Sequence, residues 1–79
     1  MNIIILGSGC ANCRKLYANA EEAVKELGVD AVVEKVEDIK KIMAYGVMRT
    51  PAVVINEKVK AFGRISRKDE IKKYIQDEL

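Results

Sequence analysis

Apolar positions along the chain change spacing every few residues, and each change marks an element. Residues 3 to 6 (Ile-Ile-Ile-Leu) form a continuous apolar run closed by Gly7, which predicts a short strand buried on both faces. Gly7-Ser8-Gly9 follows as a loop whose glycines admit backbone shapes other residues resist. From about Ala11 to Leu27 the spacing becomes three and four. Cys13, Leu16, Ala20, Ala23, Val24 and Leu27 then share one helix face, Glu21 and Lys25 are spaced to pair on the other side, and Gly28 stands where helices end. Residues 31 to 36 read as a second strand, with Glu34 and Lys35 suited to a sheet edge. Asp38 is placed to cap a short helix carrying Ile39, Ile42 and Met43, closed by Gly46. Pro51, the single proline, directly precedes a third strand, Ala52-Val53-Val54-Ile55. Asn56-Glu57 turns the chain into a fourth strand, about Lys58 to Phe62, ended by Gly63. Ser66 and Asp69 have capping-box spacing, and Ile71, Tyr74, Ile75 and Leu79 supply the apolar face of a last helix.

The resulting order is β-α-β-α-β-β-α, an α/β fold. The helix between the first two strands makes them parallel with a right-handed crossover, and the two-residue connection makes the last two an antiparallel hairpin. At 79 residues the length fits a single domain, residues 1–79, with a thin core. Nine valines and nine isoleucines are the β-branched stock for the strands.

Charge and composition narrow the function. The net charge is +2, from 14 basic and 12 acidic residues interleaved along the chain, which is no basic stripe for nucleic acid. The run at residues 3 to 6 is far below the roughly 20 apolar residues of a membrane span, and Met1-Asn2 opens no secretory signal. The expectation is therefore a cytoplasmic protein with no membrane or nucleic-acid partner. With no histidine, neither a Ser-His nor a Cys-His pair can be built, leaving chemistry to cysteine, lysine or carboxylate.

Both cysteines fall in one unit, Cys10-Ala11-Asn12-Cys13, so neither staples distant parts of the chain as in a secreted scaffold. Such a pair serves zinc sites, copper carriers and dithiol redox centres alike. Its position between a buried strand and a helix start favours redox. A cysteine at the first helical turn meets unpaired N–H groups and the positive end of the helix dipole, which favour the thiolate. Cys10 has that position. Cys13 is in line with Leu16 and Ala20 and should turn inward. Cys10 is then the attacking sulfur and Cys13 the resolving one. Arg14 and Lys15 read as an ordinary solvated surface.

Two segments resemble the thioredoxin fold in a minimal, glutaredoxin-sized form. One is Gly9-Cys10-Ala11-Asn12-Cys13. The other is Tyr45-Gly46-Val47-Met48-Arg49-Thr50-Pro51-Ala52-Val53-Val54-Ile55. The chain is most similar to the small thioredoxin/glutaredoxin-like redox-active disulfide proteins of archaea and bacteria. The resemblance implies a four-stranded mixed sheet flanked by helices and a cis Pro51 packed against the cysteines. It also implies a substrate edge at Thr50, whose main chain pairs with the client. Arg49 and Gly63 would complete that edge, with Gly9, Ala11 and Asn12 supporting the cysteine pair. The implied partners are protein disulfides and an upstream reductase, with no cofactor or metal beyond the Cys10–Cys13 pair and no need of a second subunit. The sequence departs from the family in lacking the tryptophan of thioredoxins and the Gly-Gly with which glutaredoxins hold glutathione. Gly63-Arg64-Ile65-Ser66 has one glycine, so glutathione is disfavoured. No buried acid of the thioredoxin kind stands out, Glu34 and Lys35 being the nearest charged residues in prospect.

A soft-metal carrier is the rival reading, since two thiolates suffice for Cu(I). Ser8 stands where such carriers place methionine, and the last element here is a helix where theirs is a strand. A non-catalytic binding module on the same fold is a third alternative.

Overall fold

The computed structural model describes residues 1–7, 9 and 11–79. Seven elements follow the expected order: β1 (Asn2–Leu6), α1 (Ala11–Leu27), β2 (Val32–Val36), α2 (Ile39–Ala44), β3 (Ala52–Ile55), β4 (Lys58–Phe62) and α3 (Lys68–Asp77). The four strands form one sheet in the order β2-β1-β3-β4. β1 runs parallel to β2 and antiparallel to β3, and β3 antiparallel to β4. The two most apolar segments, β1 and β3, take the centre, and the charged β2 takes an edge.

Strand alternation sorts the side chains onto two faces. Ile3, Ile5, Val53 and Ile55 pack with Leu16, Ala20 and Ala23 of α1 and Ile71 and Ile75 of α3. Ile4, Leu6, Ala52 and Val54 pack with Ile42 and Val47 on the opposite face. A register shift between Val53 and Val54 inserts one extra residue in β4. It lets Val59 and Ala61, two apart, serve opposite faces.

The hairpin turn places Asn56 and Glu57 at φ 51° and 67°, the left-handed pair of a type I′ turn. Asn tolerates this conformation, whereas Glu pays for its Cβ. Glu57→Gly should raise stability by about 0.5–1 kcal/mol, measured as a shift in urea midpoint at constant m-value.

Several local expectations need correction. α3 starts at Lys68 with Arg67 as its N-cap, not with Ser66. The Glu70 carboxylate, not Asp69, accepts the Arg67 N–H at 3.1 Å, because Ser66 is fully buried and its carbonyl accepts Asn19 Nδ2 at 3.0 Å. Leu79 lies beyond α3 and is exposed. Ile39 and Met43 on α2 are also exposed, and only Ile42 turns to the core. Glu21 and Lys25 make no ion pair among the described residues. Instead Glu26 binds both Lys68 and Lys72, each at 2.5 Å, tying α1 to α3.

That pairing holds the Glu26 carboxyl below its ordinary value of 4.5, chiefly through the Lys68 hydrogen bond. Lys60 does the same for Glu78, and the Arg67 N–H for Glu70. A carboxyl depressed in the folded state contributes stability that is full above about pH 4.5 and is lost as pH falls further. In Glu26→Gln, Tm should be lower at pH 7 and the deficit should shrink below pH 4.5, as followed by circular dichroism melts across that range.

Candidate active site

The end of the sheet where β1 stops is built around Gly7. Its N–H donates to Val36 O at 3.0 Å, extending the β1–β2 ladder by one residue. A Cβ on Gly7 would overlap Cys13 Sγ, and would lie 3.2 Å from Cys13 Cβ and 3.9 Å from Pro51 Cα. The missing side chain is thus the space into which the sulfur fits, with Pro51 on its other border. The first turn of α1 delivers Cys13, which is 6% exposed. Ala11 and Asn12 stand exposed on that turn.

Pro51 is buried, and the Thr50–Pro51 peptide bond is cis. The Pro51 carbonyl accepts the Gly63 N–H at 2.9 Å. Gly63 has φ +72°, and a Cβ there would stand 3.1 Å from Arg49 Cβ, so glycine is needed both for its backbone and for the arginine stem above it. Arg49, Pro51 and Gly63 therefore meet. Thr50 between them is exposed, and its N–H and C=O make no hydrogen bond among the described residues.

On the β2 side, a cleft of about 20 Å³ is lined by Ile5, Gly7, Gly9, Cys13, Arg14, Lys35 and Glu37, room for about one water. Gly9, at φ +82°, faces the Glu37 carboxylate. Lys35 Nζ lies 4.6 Å from the centre of the Tyr17 ring, a cation–π contact. Glu34 pairs in register with Ile4 and so belongs to the other face of the sheet. The charged residues that line this cleft with Cys13 are Arg14, Lys35 and Glu37. Glu37 carries no motif and follows the end of β2, so only the closing of the sheet could reveal it.

The description "thioredoxin domain" belongs to the family whose profile matches residues 1–76. The chain belongs to the thioredoxin-domain family. It is 45% identical over 75 residues to a thioredoxin of Methanothermobacter thermautotrophicus, a match covering 95% of this chain and 97% of that protein. It is 38% identical over 77 residues to a thioredoxin of Methanocaldococcus jannaschii, covering 98% and 88%. A probable thioredoxin of M. thermautotrophicus is 37% identical over 73 residues, covering 89% and 85%.

In this thioredoxin-family chain the four-stranded mixed sheet and three helices are those of a minimal thioredoxin fold. The structure brings together four residues expected from the sequence: Cys13, Pro51, Arg49 and Gly63. It leaves Thr50 open beside them. Cys10 lies outside the described residues, directly before Ala11 in sequence. Among the described residues no helix is long and apolar enough to cross a membrane.

Proposed function

We propose that the protein is a thiol–disulfide oxidoreductase of the thioredoxin type, acting on protein disulfides through Cys10 and Cys13. The observation that carries this reading is the seat of Cys13 Sγ in the space left by Gly7, bordered by Pro51, in a chain of this family. Cys10 precedes the first residue of α1, the end of a helix that favours an anion.

The reaction balances as a two-electron exchange. The Cys10 thiolate attacks one sulfur of the client disulfide. A Cys10–client bond forms, the client S–S bond breaks, and the departing client thiolate takes up a proton. Cys13 then gives up its proton and attacks Cys10 Sγ. The Cys10–Cys13 bond forms, the mixed disulfide breaks, and the second client thiolate leaves and is protonated. The client has gained two electrons and two protons, and this chain has been oxidised to the disulfide. A dithiol reductase resets it. The exposed Thr50 main chain can pair with an extended client segment, holding its disulfide next to the sulfurs. Lys35 and Glu37 border the cleft at Cys13, where a water could carry protons to and from it. The chain acts as one domain, as a monomer, in a reducing compartment such as the cytoplasm.

Reduction of insulin by dithiothreitol tests this reading. The protein should accelerate it catalytically, at protein concentrations far below that of insulin. Tight Cu(I) binding with no acceleration would identify a metal carrier, and neither property would leave a binding module.

A further inference from the structure

Helix α1 and strand β2 set an aromatic ring and a cation together beside the Cys13 cleft. On α1, Tyr17 stands one turn after Cys13, and residues at that spacing are neighbours on a helix. On β2, Val33 and Lys35 are two apart and so share a face of the sheet. Tyr17 and Val33 both pack against the core under α1, which puts Lys35 on that face as well. The Tyr17 hydroxyl donates to Val33 O at 3.4 Å, so the ring is held by its helix at one end and by the strand at the other. The Lys35 ammonium stands over it, 4.6 Å from the ring centre. Lys35 makes no ion pair among the described residues, although Glu37 lines the same cleft. An exposed lysine on a four-carbon stem samples many rotamers in water. The aromatic face attracts the cation and narrows that choice.

Cys13 has a use for a cation kept there. It is 6% exposed, and burial disfavours a thiolate. In the resolving step it must nonetheless lose its proton, attack Cys10 Sγ and displace the client thiolate, which is then protonated. The charged groups in its cleft are Arg14 from α1, Lys35 from β2 and Glu37 just after β2. Arg14 and Lys35 favour the thiolate, and Glu37 opposes it. On the Pro51 side, Arg49 leans on Gly63. Of the two cations in the cleft, only Lys35 is held by another side chain among the described residues.

Resting on the redox reading above, we propose that Tyr17 is a positioning residue for the resolving step. Its ring holds the Lys35 ammonium at the cleft, and that charge favours the Cys13 thiolate. Tyr17 touches neither sulfur's reaction partner and acts only through Lys35.

Stopped-flow reaction of the reduced protein with excess dithiodipyridine, a neutral disulfide with a coloured product, tests the proposal. Attack by Cys10 releases the first thiopyridone at a rate that rises with reagent concentration. Resolution by Cys13 releases the second at a rate that does not. The second rate is followed across about pH 6–9, around the ordinary thiol range. Tyr17→Leu should slow it by about two- to fivefold at the acid end, the hold that one exposed cation–π contact supplies. Its pH profile should move to higher pH, and the first rate should stay unchanged. Tyr17→Phe keeps the ring and should behave as wild type. Lys35→Met should slow the second rate at least as much as Tyr17→Leu, and combining the two should slow it no further. Equal slowing by Tyr17→Leu with and without Lys35, at every pH, would show plain loss of packing and overturn the proposal. An unchanged pH profile in Lys35→Met, a substitution at an exposed position, would overturn it even if the leucine variant fails to fold. A wild-type chain with no second phase would overturn the redox reading as well.

Discussion

Cys13→Ser should stop turnover at the mixed disulfide. Without the second sulfur nothing displaces the client from Cys10, so insulin reduction falls to the uncatalysed rate and covalent adducts accumulate. Cys10→Ser should also be inactive but should trap nothing, because the buried Cys13 is poorly placed to attack first. The adducts are counted by non-reducing electrophoresis and mass measurement. Serine also places a hydroxyl where the thiol sat, in the cleft lined by Arg14, Lys35 and Glu37. Cys13→Ala separates that effect from chemistry: it should trap clients equally well while lacking the hydroxyl. Equal trapping by the Cys10 and Cys13 variants would contradict the assignment of roles.

The second large effect is expected at Gly7. Its Cβ would occupy the place of Cys13 Sγ and press on Cys13 Cβ at 3.2 Å. The sulfur can escape only by rotating away from β1 and Pro51. Gly7→Ala should therefore cost about 1–3 kcal/mol, the range for overpacking a filled interior, out of a total of about 5–15. It should also slow resolution, so that trapped client becomes visible in a chain that keeps both cysteines. Urea unfolding checks the first effect and non-reducing electrophoresis the second. An alanine variant of wild-type stability and activity would show that Cys13 does not depend on the Gly7 space.

The sequence made the fold legible because its signals are local and agree with one another. The apolar runs of β1 and β3 demanded a central position, Glu34 and Lys35 an edge, and Asn56-Glu57 a two-residue turn. Cys13 and Pro51 stood out as candidate site residues because each is scarce and sits at an element boundary, whereas Gly63 was a candidate only through the family resemblance. What stayed hidden depended on packing. Ser66 reads as a cap until its burial hands that place to Arg67. Met43 reads as part of a buried face until α2 proves to turn only Ile42 inward. Glu21 and Lys25 have the spacing of a pair, yet Lys68 and Lys72 from α3 engage Glu26 instead. Glu37 reaches the Cys13 cleft because β2 pairs in parallel beside β1. Gly7 reads as a strand terminator, and its closeness to the sulfur needs the helix in place.

On the proposed mechanism, Cys10 and Cys13 form one reversible two-electron couple. The direct measurement is a redox titration of the wild-type chain, read by thiol alkylation and mass. A single transition is expected, in which both thiols disappear together, with the loss of two hydrogens and no dimer. Its midpoint should fall between about −270 and −120 mV, the span from thioredoxin to a strong oxidant. Thiols that titrate independently, or that oxidise only between chains, would contradict it.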